Sequence, residues 1–463
     1  MGHRTDDQWS SFSPRYRPYR ESTAHLPPFR VSKWGIEGGR FSCLFLGLTK
    51  CYNELFLACS PGFRNAAVLM DIELSLMGTP ARHANVNSLI QAYERRSSLR
   101  VKTVFHTWDT AWNHLTSHKP DEPALMVSEA GTSWVSGLAG ADALISVPAE
   151  VMKQLGGEKQ YVPQSWKSCF QLGSPQMWAV PWVTGARVLY YRTDLLHQAH
   201  VNPSTAFSSP QAMLETVQRL HEAGTGLPWI TSNVSSLNTF HLISSWIWAA
   251  GADFISADGR RLLFTSPQAI ESMAAFFSMG RYMGPAGQEY TYDKAVDLFW
   301  RGDAAITMDG TWTYDIQRPT AALDVLDNLG IAQPPGPSFV GGSNLIVWSN
   351  KVDATPAWDL LLYLIEPDAV LTIFKQTGLA PANLNLLNSR EVLQRPFGPL
   401  LNPIMETGRS LPNSRFSGLV EDNLHYAFGL VWADLLKSPD ADPRDILTRH
   451  LVPLRDRLEQ VMQ

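Results

Sequence analysis

From Met70 onward, hydrophobic and polar positions repeat in short stretches that alternate between strand-like and helix-like spacing. Positions 71–76 alternate polar and apolar side chains, as in a strand with one buried face. A helical pattern follows at 87–95, then a second strand at 99–105 and a short apolar strand at 124–127. Strands that alternate with helices predict an α/β fold with a largely parallel sheet.

Two later helices are marked by a serine that is followed by a proline. Ser209-Pro210 and Ser266-Pro267 each place a capping residue before a proline at the first helical position, and apolar residues recur at helical spacing after both. The C-terminal part is predicted to be mostly helical, with helices at 357–365, 370–376, 422–437 and 443–461.

Residues 1–66 differ from the rest of the chain, because they show neither a helical nor a strand period. An apolar run at 41–48 and the sequence Phe-Leu-Ala-Cys at 56–59 are compatible with an export signal and a lipid anchor at Cys59. Lys50 and Glu54 interrupt this region, so a leader or disordered extension is the interpretation that we favour.

The composition narrows the functional classes. Hydrophobic residues make up 44% and charged residues 17% of the chain, which is typical of globular proteins. A formal net charge of −5 gives no reason to expect nucleic acid as a partner. The four cysteines form no C-x-x-C pair, so zinc-ribbon and thioredoxin-like proteins are excluded. The sixteen tryptophans suit both core packing and stacking on ligand rings.

Motifs of enzyme active sites are absent from the sequence. There is no G-x-S-x-G, H-E-x-x-H, Walker or G-x-G-x-x-G motif. Glu129 and Asp309 are a conceivable carboxylate pair for glycoside hydrolysis, but nothing in their spacing marks them as one. We therefore predict that the protein is not an enzyme and that it uses neither a cofactor nor a metal.

Five segments, taken in order, carry a family resemblance. Residues 178–196 form the most specific of them, and Phe299-Trp300-Arg301-Gly302-Asp303-Ala304-Ala305-Ile306-Thr307-Met308-Asp309-Gly310-Thr311-Trp312 is similar to F-x-x-G-x-A-A-M-x-x-x-G-x-W. The other three lie at 124–145, 249–269 and 334–358. Together they resemble the family-1 extracellular solute-binding proteins of ABC importers, to which the maltose-binding protein belongs.

This resemblance implies a type II periplasmic-binding-protein fold, in which two α/β lobes are joined by a hinge of several strands. Each lobe would hold a mostly parallel sheet flanked by helices. By the same resemblance, lobe 1 comprises 70–183 and 333–375, and lobe 2 comprises 187–330 and 378–463. The ligand would bind between the lobes, which close around it.

A sugar has apolar faces that aromatic rings can cover and a rim of hydroxyl groups that polar groups can bind. The family places a stacking aromatic residue at Trp312, directly after Asp309-Gly310-Thr311, and a core tryptophan is the alternative. Glu129 and Trp134 flank a loop at the carboxyl end of a predicted strand, where ligands bind in open α/β sheets. A solvated carboxylate and a packing indole are the alternatives there.

Five further residues complete the predicted site, and one of them is Gly310, just before Trp312. Trp182 lies in the crossover between the lobes, and Gly342 and Asn344 match the glycine pair after the second crossover. Arg415 could reach the cleft from lobe 2, whereas Arg187 is expected to support the hinge through an ion pair. Because 184–186 lack the carboxylate that many relatives carry, the resemblance leaves the sugar unidentified.

The resemblance implies a monomeric receptor that binds a di- or oligosaccharide, delivers it to the permease subunits of an ABC transporter and does not bind nucleic acid. It would be periplasmic or located at the cell surface. One alternative is a ligand-sensing module of the same fold that is not exported and stays in the cytoplasm. Another is a receptor for a polyol or a glycerol phosphate, although a phosphate needs several cationic contacts and only Arg415 can be placed.

Overall fold

The computed structural model describes residues 70–78, 84–97, 99–117, 125–349 and 353–462, all of which belong to one compact unit, Asn65–Gln463. The predicted leader at 1–66, including the apolar run and Cys59, lies outside the described residues.

The described strands join in one curled sheet in the order β2-β1-β3-β7-β4-β5, with β6 and β8 paired to β4. They are β1 Met70–Met77, β2 Leu99–His106, β3 Leu125–Gly131, β4 Val180–Arg192, β5 Ile306–Gly310, β6 Leu329–Ala332, β7 Val340–Val347 and β8 Ala380–Pro381.

The helices surround this sheet. They are α1 Ala84–Arg96, α2 Trp108–Ser117, α3 Val135–Gly140, α4 Ala149–Leu155, α5 Pro163–Lys167, α6 Thr193–Gln198, α7 Pro210–Glu222, α8 Leu237–Ala249, α9 Pro267–Ser278, α10 Tyr292–Trp300, α11 Trp312–Gln317, α12 Leu323–Asp327, α13 Thr355–Leu364, α14 Pro367–Thr377, α15 Leu384–Leu387, α16 Arg390–Leu393, α17 Gly398–Thr407, α18 Ser417–Lys437 and α19 Pro443–Met462.

Both predicted serine caps are confirmed. Ser209 Oγ accepts a hydrogen bond from the Ala212 N–H at 3.1 Å, and Ser266 Oγ accepts one from the Ala269 N–H at 3.3 Å. Each cap satisfies an N–H that has no partner within its helix. Proline therefore starts α7 and α9 where the sequence places it.

Strand β4 is the structural centre of the sheet, and all of its residues are buried. Its first half, Val180 to Ala186, pairs with β7. Its second half pairs with β5 from Arg187 to Tyr191 and with β6 from Leu189 to Arg192. One continuous strand therefore belongs to two parts of the sheet.

The prediction of a mostly parallel sheet holds only for β1, β2 and β3. Strand β1 runs parallel to both β2 and β3. The pairs β3–β7, β4–β5, β4–β6, β4–β7 and β4–β8 are antiparallel, so the prediction is wrong for this part. The reason is that the spacing of apolar residues indicates a strand but not the direction of its neighbours, and the chain reverses between β4 and β7.

The hydrophobic core consists of two clusters. The first surrounds β1, β3, β7 and the start of β4, and includes Val127, Val183 and Ile346. The second surrounds the rest of β4, β5, α8, α9, α18 and α19, and includes Ala186 and Phe428. The lobe boundaries given by the family resemblance remain a prediction.

Candidate functional site

The Trp312 indole lies flat against two glycines on neighbouring strands. Trp312 is the first residue of α11, directly after β5, and is half-buried. A Cβ added at Gly310 would lie 2.3 Å from atoms of this ring, and one at Gly185 would lie 2.6 Å from it. Because only glycine leaves this space, the two residues form a floor on which the indole rests. We call Gly185 and Gly310 the glycine floor.

Arg187 lies beside this ring. Its guanidinium carbon is 4.5 Å from the centroid of the Trp312 ring, within the range of a cation–π contact. Its Nη1 is 3.9 Å from Asp309 Oδ1, which agrees with the ion pair expected from the sequence. Burial lowers the pKa of Arg187 and the carboxylate of Asp309 opposes this effect. Within the described residues, Nε and Nη1 have no hydrogen-bond acceptor.

Both carboxylate oxygens of Asp309 accept a hydrogen bond. The Tyr292 hydroxyl donates to Oδ2 at 2.8 Å, and the Gly310 N–H donates to Oδ1 at 2.7 Å. Burial raises the pKa of Asp309, whereas Arg187 lowers it. The carboxylate is therefore fixed next to Arg187 at the carboxyl end of β5.

The loop after β3 carries Ser133 and Trp134. Trp134 is 2% exposed, and its Nε1–H donates to Glu421 Oε2 at 2.9 Å. The Ser133 hydroxyl donates to the same oxygen. The Trp134 ring packs at 5.6 Å from the ring of Trp108 and at 5.8 Å from that of Trp112. An acidic residue of α18 thus holds the loop on which the sequence places ligand contacts.

His241 links Glu421 to Arg187. Its Nε2 lies 2.7 Å from Glu421 Oε1, and its Nδ1 lies 2.7 Å from Arg187 Nη2. Since a guanidinium only donates, Nδ1 accepts, and the proton of the ring is on Nε2. Burial lowers the pKa of His241, in keeping with this neutral form. The ring also stacks on Phe339 at 4.1 Å.

These contacts form one continuous chain of polar groups from the loop after β3 to the end of β5. We call it the bridging network, and it consists of Ser133, Trp134, Glu421, His241, Arg187 and Asp309. It joins the two hydrophobic clusters, since Trp134 belongs to the first cluster and α18 packs in the second. Of the residues predicted from the sequence to bind ligand, the structure brings Trp134, Gly310 and Trp312 to this network.

Glu129 lies below the loop and outside the network. It is 1% exposed, and its Oε2 accepts the Met77 N–H at 2.7 Å while its Oε1 accepts from the Ser343 hydroxyl. Burial raises its pKa to about 7. Its carboxyl group links β3 to the end of β1 and to the middle of β7, and so supports the loop that carries Trp134.

Trp182, Gly342 and Asn344 also lie within the sheet. Trp182 is 2% exposed, and its Nε1–H donates to the carbonyl of Leu364 at 3.1 Å. Asn344 is fully buried and donates from Nδ2 to Ser168 Oγ at 2.8 Å. Gly342 has a φ of 132°, and a Cβ there would lie 2.3 Å from the carbonyl oxygen of Val183. The structure places these three among packed strands and not beside Trp312.

Arg415 lies beside α3 and is not part of the bridging network. Its side chain is exposed, with the guanidinium carbon 4.5 Å from the Phe416 ring centroid. Its backbone rests against α3, because a Cβ at Gly137 would lie 3.0 Å from its carbonyl oxygen. Arg415 therefore contacts the first cluster from the segment before α18.

Sequence reasoning missed Glu421, His241 and the role of Gly185. Glu421 and His241 lie on helices whose patterns predict only a buried face, and their partners lie between 54 and 287 residues away along the chain. Gly185 gave a weak signal, since glycine in a strand often marks a close approach.

The described residues contain no group of three or more His, Cys, Asp or Glu side chains that could hold a metal ion. Within the same part of the chain, every helix is too short or too polar to cross a membrane.

Residues 88–396, about two thirds of the chain, match the model of the bacterial extracellular solute-binding protein family. The chain belongs to this family. Its members are solute-binding proteins rather than enzymes, so the family assigned from the five sequence segments is confirmed. A solute-binding protein has to recognise its ligand without changing it, which agrees with a site of aromatic and polar groups.

A sequence match to a curated protein is consistent with this family assignment. A protein of Deinococcus radiodurans named "Probable ABC transporter-binding protein" is 25% identical over 232 residues, which cover 47% of this chain and 54% of that protein. The matched part thus spans about half the length of this relative.

Solved structures establish the fold. A solute-binding protein of Thermotoga lettingae, solved with alpha-D-tagatose, has a TM-score of 0.71 at 17% identity, covering 85% of this chain and 100% of the other. Maltose-bound MalE3 of T. maritima has a TM-score of 0.69 at 16% identity, covering 84% and 100%. The solute-binding protein described here therefore has the two-lobed α/β fold of periplasmic binding proteins.

Proposed function

We propose that this solute-binding protein is the receptor of an ABC importer, that it binds a di- or oligosaccharide between two lobes, and that it delivers the sugar to a membrane permease. The lobes comprise 70–183 with 333–375 and 187–330 with 378–463. The receptor acts as a monomer in the periplasm or at the cell surface.

The observation that carries this proposal is the position of Trp312. Its half-buried indole lies on the glycine floor next to a buried Arg187 and Asp309. An aromatic face beside a donor and an acceptor matches a pyranose, whose apolar face stacks while its rim hydroxyls both donate and accept. The free N–H groups on Nε and Nη1 of Arg187 are suited to ligand hydroxyl oxygens.

The charges favour an uncharged ligand over a phosphorylated one. The bridging network contains one arginine and two carboxylates, those of Asp309 and Glu421, and its histidine is neutral. A phosphate would meet more negative than positive charge there, whereas phosphate sites gather several cationic groups. Arg415 is exposed, and its guanidinium lies over Phe416 and is not part of the network.

A polyol is the second candidate. A solute-binding protein of Agrobacterium radiobacter, solved in complex with ribitol, has a TM-score of 0.67 at 16% identity to this chain. A polyol offers the same hydroxyl groups as a sugar but has no ring for Trp312 to cover. The ratio of affinities for cyclic and open-chain ligands therefore distinguishes the two candidates.

A thermal-shift screen of the full chain tests the proposal. The ligands are tagatose, maltose, maltotriose, ribitol and glycerol 3-phosphate. A ligand at a hundredfold over its dissociation constant stabilises the folded protein by roughly 2.7 kcal/mol, so a sugar of this affinity raises the melting temperature measurably. We expect a shift with a saccharide and none with glycerol 3-phosphate.

The variant Trp312→Ala is expected to abolish the shift, because it removes the stacking face. Tyr314→Ala is its matched control, since Tyr314 lies on the same helix but packs against Trp300 and Phe397. A saccharide-induced rise in melting temperature that persists in Trp312→Ala would contradict the proposed site. A folded protein that responds to none of the sugars would contradict the proposed ligand class.

A further inference from the structure

The bridging network contains a buried acid that the sequence did not reveal, and this acid contacts both hydrophobic clusters. Glu421 is 2% exposed and lies in the second turn of α18. Its Oε2 accepts from the Ser133 hydroxyl and the Trp134 indole, and its Oε1 accepts from His241 Nε2. Three donors thus converge on one carboxylate, two from the loop after β3 and one from α8.

We propose that Glu421 is a positioning residue that holds the loop of Ser133 and Trp134 against the second lobe, and that it sets how readily the two lobes separate. Hydrogen bonds to a charged acceptor are stronger than neutral ones, and they weaken when water reaches them. The contact is therefore fully formed only while the lobes are together.

Its neighbours make Glu421 suited to this role. His241 orients the carboxylate through Nε2–H and is itself fixed by Arg187 and by stacking on Phe339. Arg187 lies on β4, the strand that passes from one part of the sheet to the other. The carboxylate is thus anchored to the strand about which the lobes move, while its other oxygen contacts the loop on the far lobe.

Other hydrogen bonds also cross the same boundary, including one from the Ser136 hydroxyl to the carbonyl of Asn413 at 2.8 Å. The Leu237 N–H donates to Asp109 Oδ1 at 3.2 Å, and the Leu172 N–H donates to the carbonyl of Asn413 at 2.8 Å. The second of these is useful experimentally. Because the Leu172 amide is bonded across the boundary, its hydrogen exchange reports the separation of the two lobes.

Hydrogen exchange followed by mass spectrometry on the full chain, without ligand, tests the proposal. In Glu421→Ala we expect exchange to become about tenfold faster or more in peptides that contain Leu172 and residues 131–137, because a charge-assisted contact is lost. Exchange in α7, which packs only its own buried face in the second cluster, is expected to stay unchanged. Asp434→Ala is the matched control, since Asp434 lies on the same helix but pairs with His450 of α19.

Trp134→Phe is the conservative partner variant, because it removes the Nε1–H donor and keeps a ring in place. It should speed exchange at Leu172 in the same direction as Glu421→Ala, and combining the two should add little. Unchanged exchange at Leu172 in both variants, or an equal rise in Asp434→Ala, would overturn the proposal. If hydrogen exchange in Glu421→Ala is fast in all peptides, including those of α7, the variant is unfolded. The exchange at Leu172 in Trp134→Phe then tests the proposal by itself.

The consequence for ligand capture rests on the proposed function. If the bound form requires the lobes to be together, a variant that favours separation binds more weakly in proportion to the lost fraction of the closed form. Glu421→Ala should then weaken saccharide binding, whereas Asp434→Ala should not. Failure of the sugar screen would refute the proposed ligand and leave the exchange result standing, so the two ideas fail separately.

Discussion

A carboxyl group buried where strands end can make the stability of the whole protein depend on pH. Glu129 is such a group, since it is almost fully buried and accepts hydrogen bonds from two neutral donors, the Met77 N–H and the Ser343 hydroxyl. Burial raises its pKa to about 7. The protonated form is therefore the one that the fold prefers.

The sign of the effect follows from this shift. In the unfolded chain the carboxyl titrates near 4.5, and in the folded protein near 7. Between these values the folded state binds the extra proton, so the free energy of unfolding falls as the pH rises. Glu129→Gln removes the titration, while its amide can accept from the Met77 N–H and donate to Ser343.

We predict that Glu129→Gln gains stability relative to the natural protein between pH 5 and pH 8, by roughly 3 kcal/mol at most. Urea unfolding at both pH values measures the difference. Exposed Glu222→Gln serves as the control and should show no such trend. A constant difference between Glu129→Gln and the natural protein across this range would contradict the shift.

At the residue scale, sequence reasoning found the groups with a local signature and missed those defined by distant partners. Trp312 was predicted because it follows a strand within a segment of recognisable spacing. Glu421 was not, because a single acid in a long helix has the same pattern whether it faces water or a partner. Its donors lie at positions 133, 134 and 241, and no local rule connects them.

The junction between β5 and α11 shows how an element positions a side chain. Strand β5 ends at Gly310 and α11 begins at Trp312, so the indole folds back over the strand that it has just left. This return is possible because Gly310 and Gly185 present no side chain to the ring.

Gly310→Ala is expected to displace the Trp312 ring without removing it. The new Cβ would lie 2.3 Å from ring atoms, so the indole has to move away from Arg187. We predict that saccharide affinity falls by about tenfold, equivalent to about 1.4 kcal/mol. Isothermal titration measures the change.

The control for this change is Gly226→Ala, because a Cβ there meets nothing within 4 Å. Both substitutions add one methyl group, but only one of them touches the proposed site. Equal affinities in the two variants would show that the position of the indole does not matter for binding.

At the element scale, the sequence predicted which segments form helices and strands better than how the strands pair. The serine caps at Ser209 and Ser266 act within three residues, so a local pattern identifies them. The direction of β7 relative to β4 depends on a chain reversal of more than 150 residues. The expected parallel pairing failed there for this reason.

At the scale of the whole molecule, the described residues form two hydrophobic clusters that meet along β4 and along the bridging network. Its two-lobed fold came from the family resemblance rather than from periodicity, since periodicity indicates elements and not their grouping. The network places polar groups on the boundary between the clusters, where movement can expose them to water without opening either core.

We predict that a bound saccharide draws the lobes together, as in hinge closure of periplasmic binding proteins. Small-angle scattering should then show a smaller radius of gyration at saturating sugar than without it. Trp312→Ala at the same sugar concentration should show no change. An unchanged radius of gyration in a sample with proven binding would contradict closure.

The pairing of β4 also determines what happens when the chain is cut into two fragments. The segment 202–205 between α6 and α7 is exposed, and a break there places β1 to β4 on one fragment and β5 to β8 on the other. Every partner of β4 then lies on the second fragment, as does the β7 partner of β3. Each piece alone has unpaired strand edges, and only reassembly restores the sheet. The protein is therefore suited to become a split reporter, in which two halves regain the solute-binding fold only when other proteins bring them together.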